Sequence, residues 1–481
     1  FAFTASVVAD SGISAELDRN SPVSAVNSWY QEGDDWLQGR LLTLSTSPSD
    51  QTTTFAKNVI LFVGDGMSIT TLTSARIWQG QQQGLLGEEH FLHFERFPHT
   101  ALIKTYNSNQ QTPDSAGTMS AMMTGVKTRA GLISMGPEQD RSDCKGSQQH
   151  HQQTLLEWGS QQGFDTGIVT TARLTHATPA ATYAHSPERG WEGDVDRHFN
   201  AYWYGCDSIA KQLVEKAFPA GLDLAFGGGA SRLENYYDTY LEQFPEGRLL
   251  TDQQSLEALT FSEAQLGPVL GVFSSGHMAF EHKRSIKSLP QPSLAQMTAK
   301  ALQYFQSREG GYLLVIEGAR IDHAHHKGNA ANALVETASL ANAVQLADEM
   351  TSDQDTLIIV TADHSHTLTM AGYPKRGNSI LSTSKNQKDE IVLANDGFPY
   401  TTLGYANGTA LGRQVMKGDQ LVATDAMDFQ QGVAVPLEYE THGSDDVALH
   451  AKGPGAYLFS GLMEQHEIFH TILEAVTAES P

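Results

Sequence analysis

Cysteine is nearly absent: Cys144 and Cys206 are the only two in 481 residues. Two are too few for a disulfide-built scaffold and too few for a zinc ribbon. They leave a choice between two buried thiols and one bridge in an exported protein. Long apolar runs are also missing. The longest, such as residues 59–63 and 357–360, have the length of a strand. A membrane-spanning helix needs about 20 apolar residues, so none is expected. Basic residues are scarce, with 31 Lys plus Arg against 55 Asp plus Glu, and the formal net charge is −24. A surface of that sign repels nucleic acid and anionic lipid, so neither is an expected partner. The chain starts at Phe1 with no basic, then apolar, leader. It reads as a processed or trimmed form whose targeting signal lies outside it. Hydrophobic residues, at 40%, suffice for a buried core. The length allows two to four ordinary domains or one large α/β enzyme.

Residues 24–42 place Val26, Trp29, Tyr30, Trp36, Leu37 and Leu41 near helical spacing, which predicts an amphipathic helix. Residues 44–54 (LSTSPSDQTTT) read as a linker. Residues 1–50 are therefore an N-terminal helical arm, which packs on its own core or on a partner. Beyond it, β-branched runs at 58–63, 166–171, 312–316 and 356–360 alternate with helical patterns at 208–218, 292–307 and 330–350. This alternation predicts an α/β fold: a large, mostly parallel central sheet with helices on both faces. From 370 to 435, Pro, Gly, Asn and Asp are frequent and apolar runs are short, as in an inserted lobe. Residues 51–369 and 436–481 are then the two parts of the core, the second opening with a short strand pair near 436–452. The glutamines at 79–83 read as a solvated helix end or loop.

The chemistry follows the strands. Asp65 comes just after the first run, Arg173, His176 and Thr178 after the second, Glu317 after the third, and Asp363 and His364 after the fourth. Ligands of open α/β sheets bind outside the carboxyl ends of strands. One Asp there is an ordinary turn or cap residue, but a carboxylate or imidazole after every strand points to a metal site. Asp322 and His326 are four apart and share one face of a helical turn. Asp363, His364 and His366 add a carboxylate and imidazoles, and His442 adds one more from a polar turn. Asp114 and Ser115 open a helical stretch, residues 115–124, that ends at Gly125. Either residue serves as a plain N-cap. Ser115 also sits where N–H groups and the helix dipole favour an anion, and a nearby divalent cation would lower its hydroxyl pKa. No G-x-S-x-G elbow is present, which excludes an α/β-hydrolase triad.

These pieces together resemble one family. Gly64-Asp65-Gly66-Met67, Asp114-Ser115-Ala116, His176-Ala-Thr178-Pro-Ala, Arg189, Glu317-Gly-Ala-Arg-Ile-Asp322, Asp363-His364 and Thr441-His442-Gly443 stand in the order and approximate spacing of alkaline phosphatases. The likeness runs from about residue 58 to 455. The wording at 184–191 and 320–326 looks more like the animal branch than the enteric bacterial one.

The resemblance implies hydrolysis of phosphate monoesters through a phosphoserine on Ser115, with two Zn²⁺ and one Mg²⁺ per chain. It implies Asp322, His326 and His442 on the first zinc, and Asp65, Asp363 and His364 on the second. Asp65, Thr178 and Glu317 would hold Mg²⁺. Mixed N and O donors suit zinc, and hydroxyl with carboxylate suits hard Mg²⁺. Ser115, Ala116, Arg189 and His323 would bind phosphate, Arg189 as a bidentate clamp. Two positions depart from the enteric pattern: His176 replaces an aspartate and His323 a lysine. Imidazole favours Zn²⁺ over Mg²⁺, so His176 is expected either at the third metal or one water away from it. The resemblance also implies a Cys144–Cys206 bridge, a homodimer and a periplasmic or secreted location. The charge of −24 adds an expectation of a salt-adapted bacterial protein. A phosphodiesterase or phosphonate hydrolase of the same superfamily is the alternative. A zinc-storing protein would use its 19 histidines but would leave Asp-Ser-Ala at a helix entry without a reason.

Overall fold

A computed structural model describes residues 27–45, 55–261, 267–409, 415–417 and 420–477. Its centre is a ten-stranded sheet. Eight of the strands, in chain order, are β1 (Asn58–Gly64), β2 (His99–Lys104), β3 (Asp165–Arg173), β4 (Leu222–Gly228), β5 (Arg248–Leu250), β6 (Val269–Val272), β7 (Tyr312–Gly318) and β8 (Thr356–Ala362). The other two are Val447–Lys452 and Gly461–Glu464. Across the sheet the middle order is β8-β1-β7-β3-β4, all parallel. β1, β7 and β8 are buried along their whole length, as continuous Val, Ile and Leu runs covered on both faces require. Val447–Lys452 lies antiparallel between β8 and β2, so the sheet is mixed but mostly parallel. The expected α/β architecture is the one found.

The four strands read from sequence are β1, β3, β7 and β8. They are neighbours in space, so the residues after them converge. The helix predicted at 330–350 is Ala330–Met350, and that at 292–307 is Leu294–Gln306, opened by a Ser293/Gln296 capping box. The stretch 208–218 differs: helix Ile209–Gln212 widens into a π turn at Leu213–Ala217. The glutamine cluster closes the helix Ile69–Gln82. The strand pair expected near 436–452 does not pair with itself. His442–Gly443 pairs instead with Ser365–His366, and Val447–Lys452 joins the main sheet. Within 370–435, strands Leu403–Gly408 and Val433–Pro436 form a separate small sheet with Leu368–Met370.

The start of the arm and most of its linker lie outside the described residues. The described helix, Ser28–Ser45, packs on its own chain. Trp29 meets Tyr106 and His466 edge-on, and Tyr30 meets Phe469 and His470. Among the described residues no helix is long and apolar enough to cross a membrane.

Cys144 and Cys206 form a disulfide across a sequence separation of 62. Trp191 is buried against it, two residues after Arg189. The chain-entropy model gives roughly 4 kcal/mol for a loop of that length. Replacing both cysteines by serine should therefore lower the urea midpoint and speed proteolysis of residues 190–206. An unchanged midpoint and digestion pattern would show that the bridge adds nothing.

Candidate metal centre

Asp65 follows β1, His176 and Thr178 follow β3, and Glu317 ends β7 with Asp322 one helical turn on. Asp363 and His364 follow β8. Parallel neighbours put all of them at one sheet edge. The backbone turns sharply at Gly66 (φ 70°), where a Cβ would collide with the His366 ring. Gly66 N–H then donates to Asp363 Oδ1 at 3.0 Å. Asp65, Glu317, Asp363 and His364 are fully buried, and Asp322 nearly so.

Three imidazoles share one arrangement. His326 Nδ1 donates to the Glu440 carbonyl (2.5 Å), His442 Nδ1 to the Pro113 carbonyl (2.8 Å) and His364 Nδ1 to the Ser365 carbonyl (3.1 Å). A carbonyl only accepts, so in each neutral ring the lone pair is on Nε2. Those lone pairs then face acceptors. His326 Nε2 lies 3.1 Å from His442 Nε2 and 3.2 Å from Asp322 Oδ1, and His442 Nε2 lies 3.4 Å from the same oxygen. His364 Nε2 lies 3.4 Å from Asp65 Oδ1 and 3.3 Å from Asp363 Oδ2. Lone pairs turned on one another need a cation between them. Histidine metal ligands are commonly fixed in this way, by a second hydrogen bond to a carbonyl.

The carboxylates give the same answer. Both oxygens of Asp65, Asp363 Oδ2, Glu317 Oε1 and Thr178 Oγ1 are buried without a hydrogen-bond partner. Such groups are costly unless an ion satisfies them. Burial, and then the charges of Asp363, Asp322 and Glu317, push the Asp65 carboxyl well above its usual range. Burial raises Asp363 as well and takes Glu317 up to about 8. Asp65, Asp363 and His364 can share one ion, Asp65, Glu317 and His176 another. The donor sets therefore fit two N/O sites suited to zinc and one oxygen-rich site suited to magnesium, with His176 at its border.

The nucleophile candidate stands beside them. The helix Ser115–Thr124 opens at Ser115, as the sequence predicts, with Asp114 as N-cap accepting from Gly117 N–H. Ser115 Oγ–H donates to His364 Nε2 at 3.1 Å. Asp114 also accepts from Gly131 N–H at 2.9 Å and from Arg189 Nη1 at 2.9 Å. Arg189 is thus anchored to the cap of the helix that carries Ser115. Ala116, next in the helix, is buried. His323 packs on His277 with ring centroids 4.1 Å apart, and His176 stands 5.6 Å from His323. Burial holds the His176 and His323 rings below the usual histidine pKa.

Two residues here, His277 and Thr170, carry no role in the sequence reading, and His366 is named there only as a companion imidazole to His364. His277 comes from the segment after β6, a strand too short to be read from periodicity. Thr170 donates to Glu317 from inside β3. His366, only two residues past His364, bonds Asp322 through Nε2 (2.7 Å) and Glu440 through Nδ1 (2.6 Å). With carboxylates at both nitrogens it has no lone pair for a metal. Although burial opposes it, the Glu440 charge and these bonds raise its pKa to about 10.

A family model described as alkaline phosphatase matches residues 56–478. The tissue-nonspecific alkaline phosphatase of Gallus gallus is 39% identical over 451 residues, covering 87% of this chain and 84% of that protein. The Homo sapiens counterpart is 38% identical, covering 88% and 84%. Among solved structures, the Thermus thermophilus alkaline phosphatase matches with a TM-score of 0.62 at 21% identity, covering 90% of this chain and 94% of that one. That likeness speaks to the fold.

The raised carboxyl of Glu317 has a consequence for the metal-free protein. Its ordinary value is 4.5 and its folded value about 8, so folding takes up a proton between those limits. Stability therefore falls as pH rises through that window. The melting temperature of the metal-free protein should drop between pH 5 and 8, and saturating zinc and magnesium should flatten the profile. Parallel pH profiles with and without metal would contradict the assignment of these carboxylates to cation sites.

Proposed function

The chain belongs to the alkaline phosphatase family, whose members are metal-dependent phosphomonoesterases, and on that premise we propose that Ser115 is the nucleophile of a two-zinc, one-magnesium centre. Asp322, His326 and His442 would hold the first zinc, and Asp65, Asp363 and His364 the second. Asp65, Thr178 and Glu317 would hold magnesium, with His176 beside it. The observation that carries this reading is the set of three Nε2 lone pairs that converge on the carboxylates of Asp65, Asp322 and Asp363. Bound zinc supplies charge neutralisation at the attacking and leaving oxygens of an in-line displacement.

The protein's own groups do the rest. Ser115 Oγ forms a bond to phosphorus as the ester oxygen departs, giving a phosphoserine that water then cleaves. The hydroxyl proton is lost to water, a loss that a cation held by Asp65, Asp363 and His364 would ease by lowering the hydroxyl pKa, and the departing ester oxygen takes a proton from water. The Ala116 N–H at the helix start and the Arg189 edge left free by Asp114 face the equatorial oxygens, where charge resides in a loose transition state. His323 borders the same space and would contact phosphate through water.

The same reading keeps residues 1–50 as an arm, 370–435 as an inserted lobe, and 51–369 with 436–481 as the core. It includes a homodimer, an exported location and salt adaptation, supported by the family and by the charge of −24. Screening of that charge should strengthen dimerisation as NaCl rises toward about 1 M, where the Debye length is about 3 Å. Sedimentation at fixed saturating metal checks this; a flat or weakening trend excludes the salt-adapted part.

Ser115→Ala should abolish the covalent intermediate and lower kcat at least about a hundredfold, with zinc content unchanged. Acid-quenched labelling with a phosphate monoester reads both forms. Label on another residue, or near-normal turnover of the variant, would remove Ser115 from this role.

A further inference from the structure

Glu440 is fully buried, two residues before His442. Its carboxylate is completely engaged. Oε1 accepts from Thr367 N–H (2.8 Å) and Thr367 Oγ1 (2.7 Å), and Oε2 accepts from His366 Nδ1 (2.6 Å). His366 passes the contact on, donating from Nε2 to Asp322 Oδ1 at 2.7 Å. The main chain of Glu440 makes a second link: its carbonyl accepts from His326 Nδ1 at 2.5 Å, and its N–H donates to the His326 carbonyl at 3.2 Å. Glu440, His366 and His326 are close enough to suggest a metal group of their own. Their facing atoms are instead already bonded to one another as donor and acceptor, so they form a brace and not a site.

One residue therefore touches everything at the first zinc position. Asp322 is reached through His366, His326 through the carbonyl, and His442 along two peptide units. We infer that Glu440 is a positioning residue for that zinc: its charge fixes the His366 ring, which holds Asp322 Oδ1, the carboxylate oxygen that His326 and His442 also face. The inference rests on the ligand assignment proposed above. A Glu440 amide would keep the volume but would present an N–H either to His366 or to the two Thr367 donors, and an uncharged acceptor to the other side. Partners of this kind, one bond behind the ligands, are worth about 10–100-fold in metal affinity.

The test is zinc retention by the whole enzyme, read by elemental analysis during titration with a competing chelator. Wild type should keep two zinc ions per chain to a chelator concentration at which Glu440→Gln keeps one. The affinity of the lost ion should fall about 10–100-fold, and that of the other should not change. Excess zinc should restore turnover, and the melting temperature of the metal-free variant should match wild type. His366→Gln should lose the same ion, and the double variant should lose no more than either single one. If Glu440→Gln does not fold, His366→Gln carries the test. Full retention of both ions in the variants overturns the inference. So does equal weakening of both ions, or a lower metal-free melting temperature with normal zinc binding, since each marks a general structural brace. A wild-type enzyme that binds no zinc at these residues overturns the ligand assignment itself, an outcome separate from the others.

Discussion

Asp65, Glu317, Asp322 and Asp363 bring four carboxylates into one buried pocket, and the architecture around them answers that repulsion. In a low-dielectric interior each unpaired carboxylate costs several kcal/mol. A soft scaffold would relax by swinging the side chains apart or letting water in. Here they stand on three adjacent parallel strands, β8, β1 and β7, or within one helical turn of them, and those strands are buried along their whole length. The rigid sheet keeps the charges together until cations arrive, and so turns electrostatic cost into metal affinity. The raised carboxyls of Asp65 and Glu317 are that cost expressed as protons.

Rigid carboxylates alone do not select an ion, because ring orientation also counts. His326, His364 and His442 are each fixed by a main-chain carbonyl, which depends on fold and not on side-chain identity. The carbonyl that fixes His442 belongs to Pro113, just before the cap of the nucleophile helix. A shift of that helix therefore moves the proposed zinc ligand His442 and Ser115 together. Arg189 joins the same unit through Asp114, with the disulfide-backed Trp191 behind it. Ser115, Arg189 and His442, the proposed nucleophile, clamp and metal ligand, are thus tied by short bonds among residues that are distant in the chain.

Much of this was legible in the sequence because parallel strands write it plainly. Continuous β-branched runs marked β1, β3, β7 and β8, and their adjacency explains why residues after each one meet. Asp114, Ser115 and Gly125 marked the nucleophile helix by cap chemistry, to the residue. What escaped depends on long-range pairing. Val447–Lys452 joins the sheet antiparallel between β8 and β2, both far earlier in the chain, and no local pattern encodes such a partner. That insertion also explains why His442 pairs with His366 and not with a neighbour in its own turn. Glu440 has no role in the sequence reading, because its burial is a property of the assembled fold. His277 escaped because β6, the strand before it, is too short to be read from periodicity.

The charge of the whole chain and that of its site have opposite tasks. A surface at −24 repels phosphate esters at long range. Inside the pocket, with the proposed metals bound, four carboxylates stand against three divalent ions and the Arg189 guanidinium, and the balance is positive. The imidazoles of His176 and His323 lie beside it, and their lowered pKa keeps them neutral at alkaline pH. They add polarity without adding charge that would hold product phosphate too tightly. In that reading the carboxylates would do more than bind metal: they would bring the net charge of the site down to a level from which an anionic product can leave.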